Sequence, residues 1–215
     1  MRNYFFLLLL VPVLAAAQNL NERGASAEAL VPQGWEHKEA TGDLNKDGIE
    51  DLAVIATPNF KENIKVRDDG YEINMNAPQL AIYFGQPAGG FKLFRKYPGL
   101  IPARDEFCTV DASLEVTDRG TLRIGVSMFH TAGTADTGGS TYTFRFQNGD
   151  FFLIGKDDME FSRMSGKATE VSENYITWKR QVKTYNMFEK DGGNQQESWT
   201  RLKRRPLQRL GEISF

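Results

Sequence analysis

The sequence predicts an all-β protein whose antiparallel strands form meander sheets, arranged like a propeller blade or a sandwich. Aromatic residues make up 12% of the 215 residues, with 15 Phe and 7 Tyr. Short apolar or alternating segments recur about every ten residues, separated by Gly, Asn and Asp clusters. Aromatic and β-branched residues favour pleated strands, and the polar clusters favour turns. No Pro/Ser-rich linker divides the chain, so one folded domain is expected.

The chain begins with a segment that is typical of an export signal. Residues 1–17 combine Arg2 near the start, an apolar run, and three alanines before Gln18. The apolar run is too short to span a bilayer comfortably, and the small residues suit cleavage. We therefore expect export through a cleaved signal peptide to the periplasm or the medium, without a membrane anchor. A polar lead-in (18–33) and one β-rich domain (34–215) follow.

Charge and cysteine content argue against a nucleic-acid-binding protein and against a fold stabilised by disulfides. The formal net charge of −2 leaves no basic footprint for nucleic acid. Cys108 is the single cysteine of the chain, so the fold has no internal disulfide and depends on its buried core. Apolar neighbours predict that Cys108 is a small buried side chain rather than a reactive thiol.

The strongest chemical signal is the stretch G-D-L-N-K-D-G-I-E-D-L-A-V-I at residues 42–55. Oxygen-bearing side chains stand at positions one, three, five and nine of a loop, with a glycine at position six. Calcium takes about 6–8 oxygen ligands, and the glycine permits the sharp turn that gathers them. The expected cofactor is therefore Ca²⁺. The predicted metal ligands are the side chains of Asp43, Asn45, Asp47 and Asp51 and the carbonyl of Ile49.

An EF-hand shares the first six of these positions but not the rest. It needs a bidentate Glu at position twelve, where this chain has Val54. The flanking segments also lack the apolar period of two helices. Asp51 is then the closing carboxylate of a short loop, residues 43–51, that leads into the apolar strand 52–55. The alternative is an Asx-rich turn that binds no metal.

The loop resembles the calcium loop of the FG-GAP/VCBS repeats of integrin-type β-propellers, whose pattern is D-x-D/N-x-D-G-x-x-D before a short apolar strand. Residues 80–91, L-A-I-Y-F-G-Q-P-A-G-G-F, are similar to the second strand, turn and aromatic of such a repeat. The resemblance covers one repeat, and no second D-x-N-x-D-G occurs in the sequence. It implies calcium binding and a scaffold for contacts with a glycan or a protein. It does not imply a propeller, which needs several copies to bury its faces.

The remaining segments predict strands joined by tight turns. Asp69-Gly70 suggests a small hairpin inserted after the calcium loop. Residues 142–147 alternate aromatic with polar side chains, and Asn148-Gly149 supplies a type I′ turn into the next strand. The expected strands are 64–66, 71–73, 80–84, 91–94, 114–116, 122–128, 142–147, 151–154, 175–178, 181–187 and 198–202.

Three further polar clusters have ordinary explanations. Residues 136–140, D-T-G-G-S, are expected to form a flexible glycine-rich loop beside His130, because an aspartic protease needs a second copy of this motif. The acidic run 157–160 predicts a solvated turn, although carboxylate pairs also serve glycosidases. Residues 201–209 carry five basic side chains. Their alternate spacing predicts the exposed face of an edge strand, and the alternative is a site for an anionic partner.

The sequence favours an exported, non-enzymatic calcium-binding module with a structural or ligand-binding role, its ligand a glycan or a protein. The alternative is an exported hydrolase, or an accessory protein to one, that uses segment 130–142 as its site. No G-x-S-x-G elbow and no local Cys-His signature in the sequence supports that catalytic alternative.

Overall fold

Antiparallel strands make up most of the computed structural model, which describes residues 19–131 and 134–215. The predicted export signal, residues 1–17, lies outside the described residues. Within the described residues, no helix is long and apolar enough to cross a membrane. The predicted fold class, an all-β protein of antiparallel meander sheets, is confirmed.

The strands are numbered along the chain. The first half holds β1 (Arg23–Gly24), the one-turn helix α1 (Ala27–Leu30), β2 (Glu36–Gly42), β3 (Asp51–Thr57), β4 (Ile64–Val66), β5 (Glu72–Asn74), β6 (Gln79–Gly85) and β7 (Phe91–Pro98). The second half holds β8 (Cys108–Val116), β9 (Thr121–His130), β10 (Asp136–Gln147), β11 (Asp150–Ser162), β12 (Lys167–Asn174), β13 (Lys179–Asn186) and β14 (Gln196–Arg201). Short 3₁₀ turns lie at Lys61–Asn63, Lys190–Gly192 and Leu210–Glu212.

The first sheet has the strand order β1-β7-β6-β3-β2 and is antiparallel throughout. Strand β3 is buried along almost its whole length, because it lies inside the sheet with both faces covered. The hairpin of β4 and β5 is inserted between β3 and β6, as Asp69-Gly70 predicts. The loop of predicted calcium ligands joins β2 directly to its neighbour β3. The arrangement of β2, β3, β6 and β7 is therefore like that of a propeller blade.

The second sheet is a meander of seven strands, in the order β14 to β8, that curls into a half-barrel. Each strand pairs with its neighbours in the sequence, so short turns connect the sheet. Strands β10 and β11 have 12 and 13 residues, and a register shift between Thr143 and Phe144 marks a β-bulge. A bulge bends its strand and increases the local twist, which helps the sheet to curl.

Both sheets bury side chains in one hydrophobic core. The first sheet contributes aliphatic residues and the second adds aromatic ones, among them Ala53, Ile55, Leu80, Ile82, Leu122, Ile124, Phe144 and Phe151. A second cluster covers the other face of the first sheet, where Leu20 and Leu30 pack with Val54 and Tyr83. Complete burial of one such side chain contributes about 1.5–3 kcal/mol. The described part of the lead-in is thus packed against the domain.

Four expectations about the second sheet are wrong. Residues 136–140 form the start of β10 rather than a flexible loop, because they pair with β9 and β11. The acidic run 157–160 lies within β11 rather than in a turn, because it pairs with β10 and β12. Residues 175–178 form the turn between β12 and β13, with Trp178 at φ 57°, rather than a strand. Most of the basic run 201–209 lies beyond the end of β14, so its side chains do not share one strand face.

Candidate functional site

The predicted calcium ligands lie on one loop that closes between two paired strands. Gly42 at the end of β2 pairs with Asp51 at the start of β3. Inside the loop the backbone turns through left-handed conformations, with Lys46 at φ 69° and Gly48 at φ 85°. Glycine adopts this conformation without a steric penalty, as the sixth position of the motif requires.

Hydrogen bonds inside the loop draw three of the predicted ligands together. The Asp43 carboxylate accepts hydrogen bonds from the backbone N–H groups of residues 46–48, at 2.7 to 3.1 Å. Asn45 Oδ1 accepts from the Asp47 N–H, and Asn45 Nδ2 donates to Asp47 Oδ2 at 3.0 Å. Asp47 Oδ1 in turn accepts from the Ile49 N–H at 2.8 Å. These oxygens therefore accept hydrogen bonds from the backbone of one tight turn.

Asp51 fixes the loop to the first sheet. Its side chain is fully buried. Asp51 Oδ2 accepts hydrogen bonds from the N–H groups of Leu44 and Asn45 at 2.9 and 3.1 Å, and Oδ1 accepts from Gly85 at 2.9 Å. Burial raises the pKa of the Asp51 carboxyl, and the three amide donors act in the opposite direction. Because Gly85 ends β6, this carboxylate joins the loop to a second strand of the sheet.

The same loop also contacts the second sheet. Lys46 Nζ donates a hydrogen bond to the carbonyl oxygen of Arg119 at 2.6 Å, in the turn between β8 and β9. Gly120, at φ 65° in that turn, lies so close that a Cβ there would be 2.2 Å from the Asp43 carbonyl oxygen. The loop therefore lies where the two sheets meet, in contact with backbone from both.

The chemical types of the predicted ligands suit a calcium ion, because calcium is ordinarily bound by carboxylate, amide and carbonyl oxygens. They are not gathered around one point in this structure. Among residues 19–131 and 134–215, no three His, Cys, Asp or Glu side chains form a group that could hold a metal ion. Backbone amides occupy the oxygens of Asp43 and Asp51 instead. The hydrogen bonding is that of an Asx-rich turn.

A second candidate site lies on the concave side of the second sheet. A cleft of about 630 Å³ opens along β9 to β12, and its polar lining includes His130, Asp136, Ser140, Asp158 and Glu160. Local sequence patterns predict a loop at residues 136–140 and a turn at residues 157–160, and they do not indicate that these two parts of the lining are neighbours. Antiparallel pairing of β10 with β11 brings them together, with Ser140 opposite Asp158.

The described part of the cleft does not assemble an activated nucleophile. Ser140 Oγ donates a hydrogen bond to Asp158 Oδ1, and the same carboxylate pairs with Lys156 Nζ at 2.8 Å. Cys108 Sγ lies 3.9 Å from His130 Nε2, but burial raises the pKa of the thiol and keeps it protonated. The expectation that Cys108 is a buried side chain is wrong, because this residue begins β8, the edge strand of the sheet, and is only half-buried.

Comparisons with protein-family models, with curated proteins and with solved structures found no match for this chain. The fold is that of an all-β protein with two main sheets, a blade-like first sheet and a half-barrel second sheet, and a small inserted hairpin. Its function is therefore inferred from the residues and contacts of the two candidate sites.

Proposed function

We propose that this protein is an exported, non-enzymatic calcium-binding module, in which an ion bound by loop 43–51 stabilises the junction between two sheets that carry a ligand site. The supporting observation is the position of the loop. Asp51 accepts a hydrogen bond from Gly85 at the end of β6, and Lys46 donates to Arg119 in the turn between β8 and β9. An ion that tightens this loop acts on both sheets at once.

The loop carries the ligand set that this proposal requires. Calcium supplies two positive charges to a loop whose carboxylates otherwise repel one another. Three carboxylates and a neutral amide suit the millimolar calcium outside the cell, with an expected Kd of about 10⁻⁴–10⁻³ M. The groups proposed to hold the ion are the side chains of Asp43, Asn45, Asp47 and Asp51 and the carbonyl of Ile49.

The resemblance to one FG-GAP/VCBS repeat also supports the proposal. The two segments that carry it, 42–55 and 80–91, include most of β3 and β6, which are paired neighbours in the first sheet. Repeats of this family generally scaffold contacts with glycans or proteins. We therefore propose that the module binds a ligand of one of these two kinds.

Thermal unfolding with and without calcium tests the calcium proposal. The melting temperature should rise with calcium and fall with a chelator, since binding to the native state alone adds about 1.4 kcal/mol at ten times Kd. Asp47→Ala should abolish this dependence. Asp157→Ala is the matched control, because Asp157 lies in β11 and accepts a hydrogen bond from Ser172 Oγ outside the loop. A calcium response that survives Asp47→Ala would contradict the proposal.

A hydrolase is the second candidate function, because the cleft gathers His130, Asp136, Asp158 and Glu160. A screen against glycans, esters and peptides should find no turnover that His130→Ala removes. Turnover that disappears in this variant, while its folding is unchanged, would replace the non-enzymatic proposal.

A further inference from the structure

Strand β14 forms an open edge of the second sheet. All of its residues, Gln196–Arg201, are exposed. The opposite edge of the same sheet, β8, lies against the first sheet, where Lys38 on β2 donates a hydrogen bond to the carbonyl oxygen of Ala112 at 2.8 Å. An uncovered edge presents unpaired N–H and C=O groups that can pair with another strand. The second sheet can therefore be extended at β14.

The outward backbone groups of β14 belong to alternate residues. Leu202, directly after the strand, donates a backbone hydrogen bond to the carbonyl oxygen of Trp178 at 2.8 Å. These two residues continue the register of β13 and β14, so every even-numbered residue of β14 bonds to β13. The N–H and C=O groups of Glu197, Trp199 and Arg201 then point away from the sheet. Among the residues that the structure describes, nothing bonds to these groups.

The side chains of the same three residues form a self-complementary pattern. Glu197, Trp199 and Arg201 share one face of the strand, because side chains alternate. An antiparallel second copy with Trp199 opposite Trp199 places Glu197 of each copy opposite Arg201 of the other. In this register outward groups meet outward groups, so each of these residue pairs exchanges two hydrogen bonds. A shift by two residues in either direction keeps the hydrogen bonding but separates Glu197 from Arg201.

Arg201 lacks a counter-charge from the neighbouring strand of its own chain. It lies opposite Lys179 on β13. Like charges directly opposite each other in a sheet are unfavourable. Within the described part of the chain, Arg201 forms no hydrogen bond or ion pair. A carboxylate from a second copy would therefore stabilise this guanidinium, where β13 supplies only another cation.

Glu197 keeps one carboxylate oxygen for that contact. Its Oε1 accepts hydrogen bonds from Gln181 and from the indole of Trp199, at 2.9 and 2.6 Å. Its Oε2 accepts none from the described residues, and Lys183, which lies opposite on β13, forms no ion pair with it. Oε2 is thus free to accept a charge-assisted hydrogen bond from Arg201 of a second copy. The indole is 60% exposed, beside the position of its counterpart.

We propose that two copies of this chain pair through β14 in antiparallel orientation, and so join their second sheets into one continuous sheet. The two-fold axis passes between the two Trp199 residues. Charged side chains at an edge commonly prevent pairing with other strands. Here they select one register, because only a strand with the reverse order of charges matches them. The contact is small, so the dimer is weak and depends on concentration. The inference is independent of the calcium site and of the cleft.

Sedimentation velocity of the full protein tests the inference at about 1 μM to 1 mM protein, a range that covers weak association. The sedimentation coefficient should rise with concentration from that of a monomer to that of a dimer. Glu197→Arg and Arg201→Glu should each stay monomeric, because like charges then lie opposite each other. An equimolar mixture of these two variants should dimerise, because a mixed pair again places opposite charges together. Glu62→Arg, an exposed reversal in the 3₁₀ turn before β4, is the control and should dimerise like the wild type.

Trp199→Pro tests the backbone contact. Proline lacks the N–H group and is tolerated in an edge strand only where that group faces solvent. This variant should therefore fold with a melting temperature close to that of Trp199→Ala, but it should be monomeric at every concentration. A much lower melting temperature of Trp199→Pro would show that the N–H bonds to β13, which contradicts the proposed pairing.

Three further results would overturn the inference. The first is a wild-type protein that stays monomeric up to about 1 mM. The second is a dimer that survives both Glu197→Arg and Arg201→Glu, because it must then use another surface. The third is a wild-type dimer together with a monomeric mixture of the two variants, which would exclude this register. Melting temperatures measured at low concentration show that each charge variant is folded.

Discussion

At the scale of single residues, Asp51 combines complete burial with three backbone hydrogen bonds. Asp51→Asn keeps the shape but replaces one acceptor oxygen with an NH₂ group that faces an N–H donor. We expect a loss of about 2–4 kcal/mol in the free energy of unfolding, measured in urea with a chelator present. Asp69→Asn is the control, because Asp69 is exposed and has only local contacts, an N–H hydrogen bond from Tyr71 and a surface ion pair with Arg67, which contributes at most about 1 kcal/mol. Equal losses in both variants would show that Asp51 does not fix the loop.

Tyr83 leads to a prediction about alkaline pH. The side chain is fully buried, its hydroxyl has no partner among the described residues, and burial raises its pKa to about 12. The folded state therefore holds its proton after the unfolded state has lost it at about pH 10. Stability is complete below that pH and falls as the pH rises toward 12.

Tyr83→Phe removes the unpaired hydroxyl. At neutral pH the change should be neutral or stabilising by up to about 1 kcal/mol, and the alkaline loss of stability should become smaller. Urea unfolding at about pH 7 and pH 10.5 measures both effects. A clear destabilisation at neutral pH would indicate that the hydroxyl has a partner.

At the scale of elements, the calcium loop and the turn between β8 and β9 pack backbone against backbone at Gly120. A Cβ there would lie 2.2 Å from the Asp43 carbonyl oxygen, and the residue is at φ 65°. Gly120→Ala should therefore cost about 2–4 kcal/mol, measured by thermal or urea unfolding. Gly149→Ala is the matched control, because Gly149 has φ 76° and nothing within 4 Å of an added Cβ. Gly149→Ala should lower the free energy of unfolding by only about 1–2 kcal/mol, the cost of placing a non-glycine residue in the left-handed conformation. Equal losses would contradict the close packing.

The elements that the sequence predicts best are those with strong local patterns. The hairpin at Asn148-Gly149 is present, with φ of 50° and 76° at these residues. Residues 136–140 and 157–160 are strands against their local propensity, because glycine and carboxylates are rare in strands. Pairing partners distant in the sequence complete their hydrogen bonds. At Gly138 an added Cβ would lie 2.2 Å from the Met159 carbonyl oxygen. Close packing between the strands therefore explains this glycine, although local sequence patterns predict a loop there.

At the scale of the molecule, both sheets share one core, which predicts a single cooperative unfolding transition. Trp35 lies in the cluster on the first sheet, and Trp199 lies on β14 of the second sheet. Tryptophan fluorescence and far-UV circular dichroism should therefore give coincident urea transitions. Two separate transitions would show that the sheets unfold as independent domains.

The cleft depends on the register of the whole second sheet, which the sequence does not reveal. Alternation traced back from Tyr142 places Ser140 and Asp136 on the same face, and this is a signal that the sequence contains. The bulge between Thr143 and Phe144 then decides which residues of β11 face them. A slip of one residue would turn Asp158 to the opposite face. The loop of calcium ligands, in contrast, is local and could be located from its spacing alone.

Calcium binding by loop 43–51 is tested most directly by isothermal titration of calcium into the chelator-treated and dialysed protein. We predict the heat of a single site with a Kd of about 10⁻⁴–10⁻³ M, and its absence in Asp47→Ala. No heat of binding up to about 10 mM calcium, well above the expected Kd, would contradict the proposal and leave the loop as a metal-free Asx-rich turn.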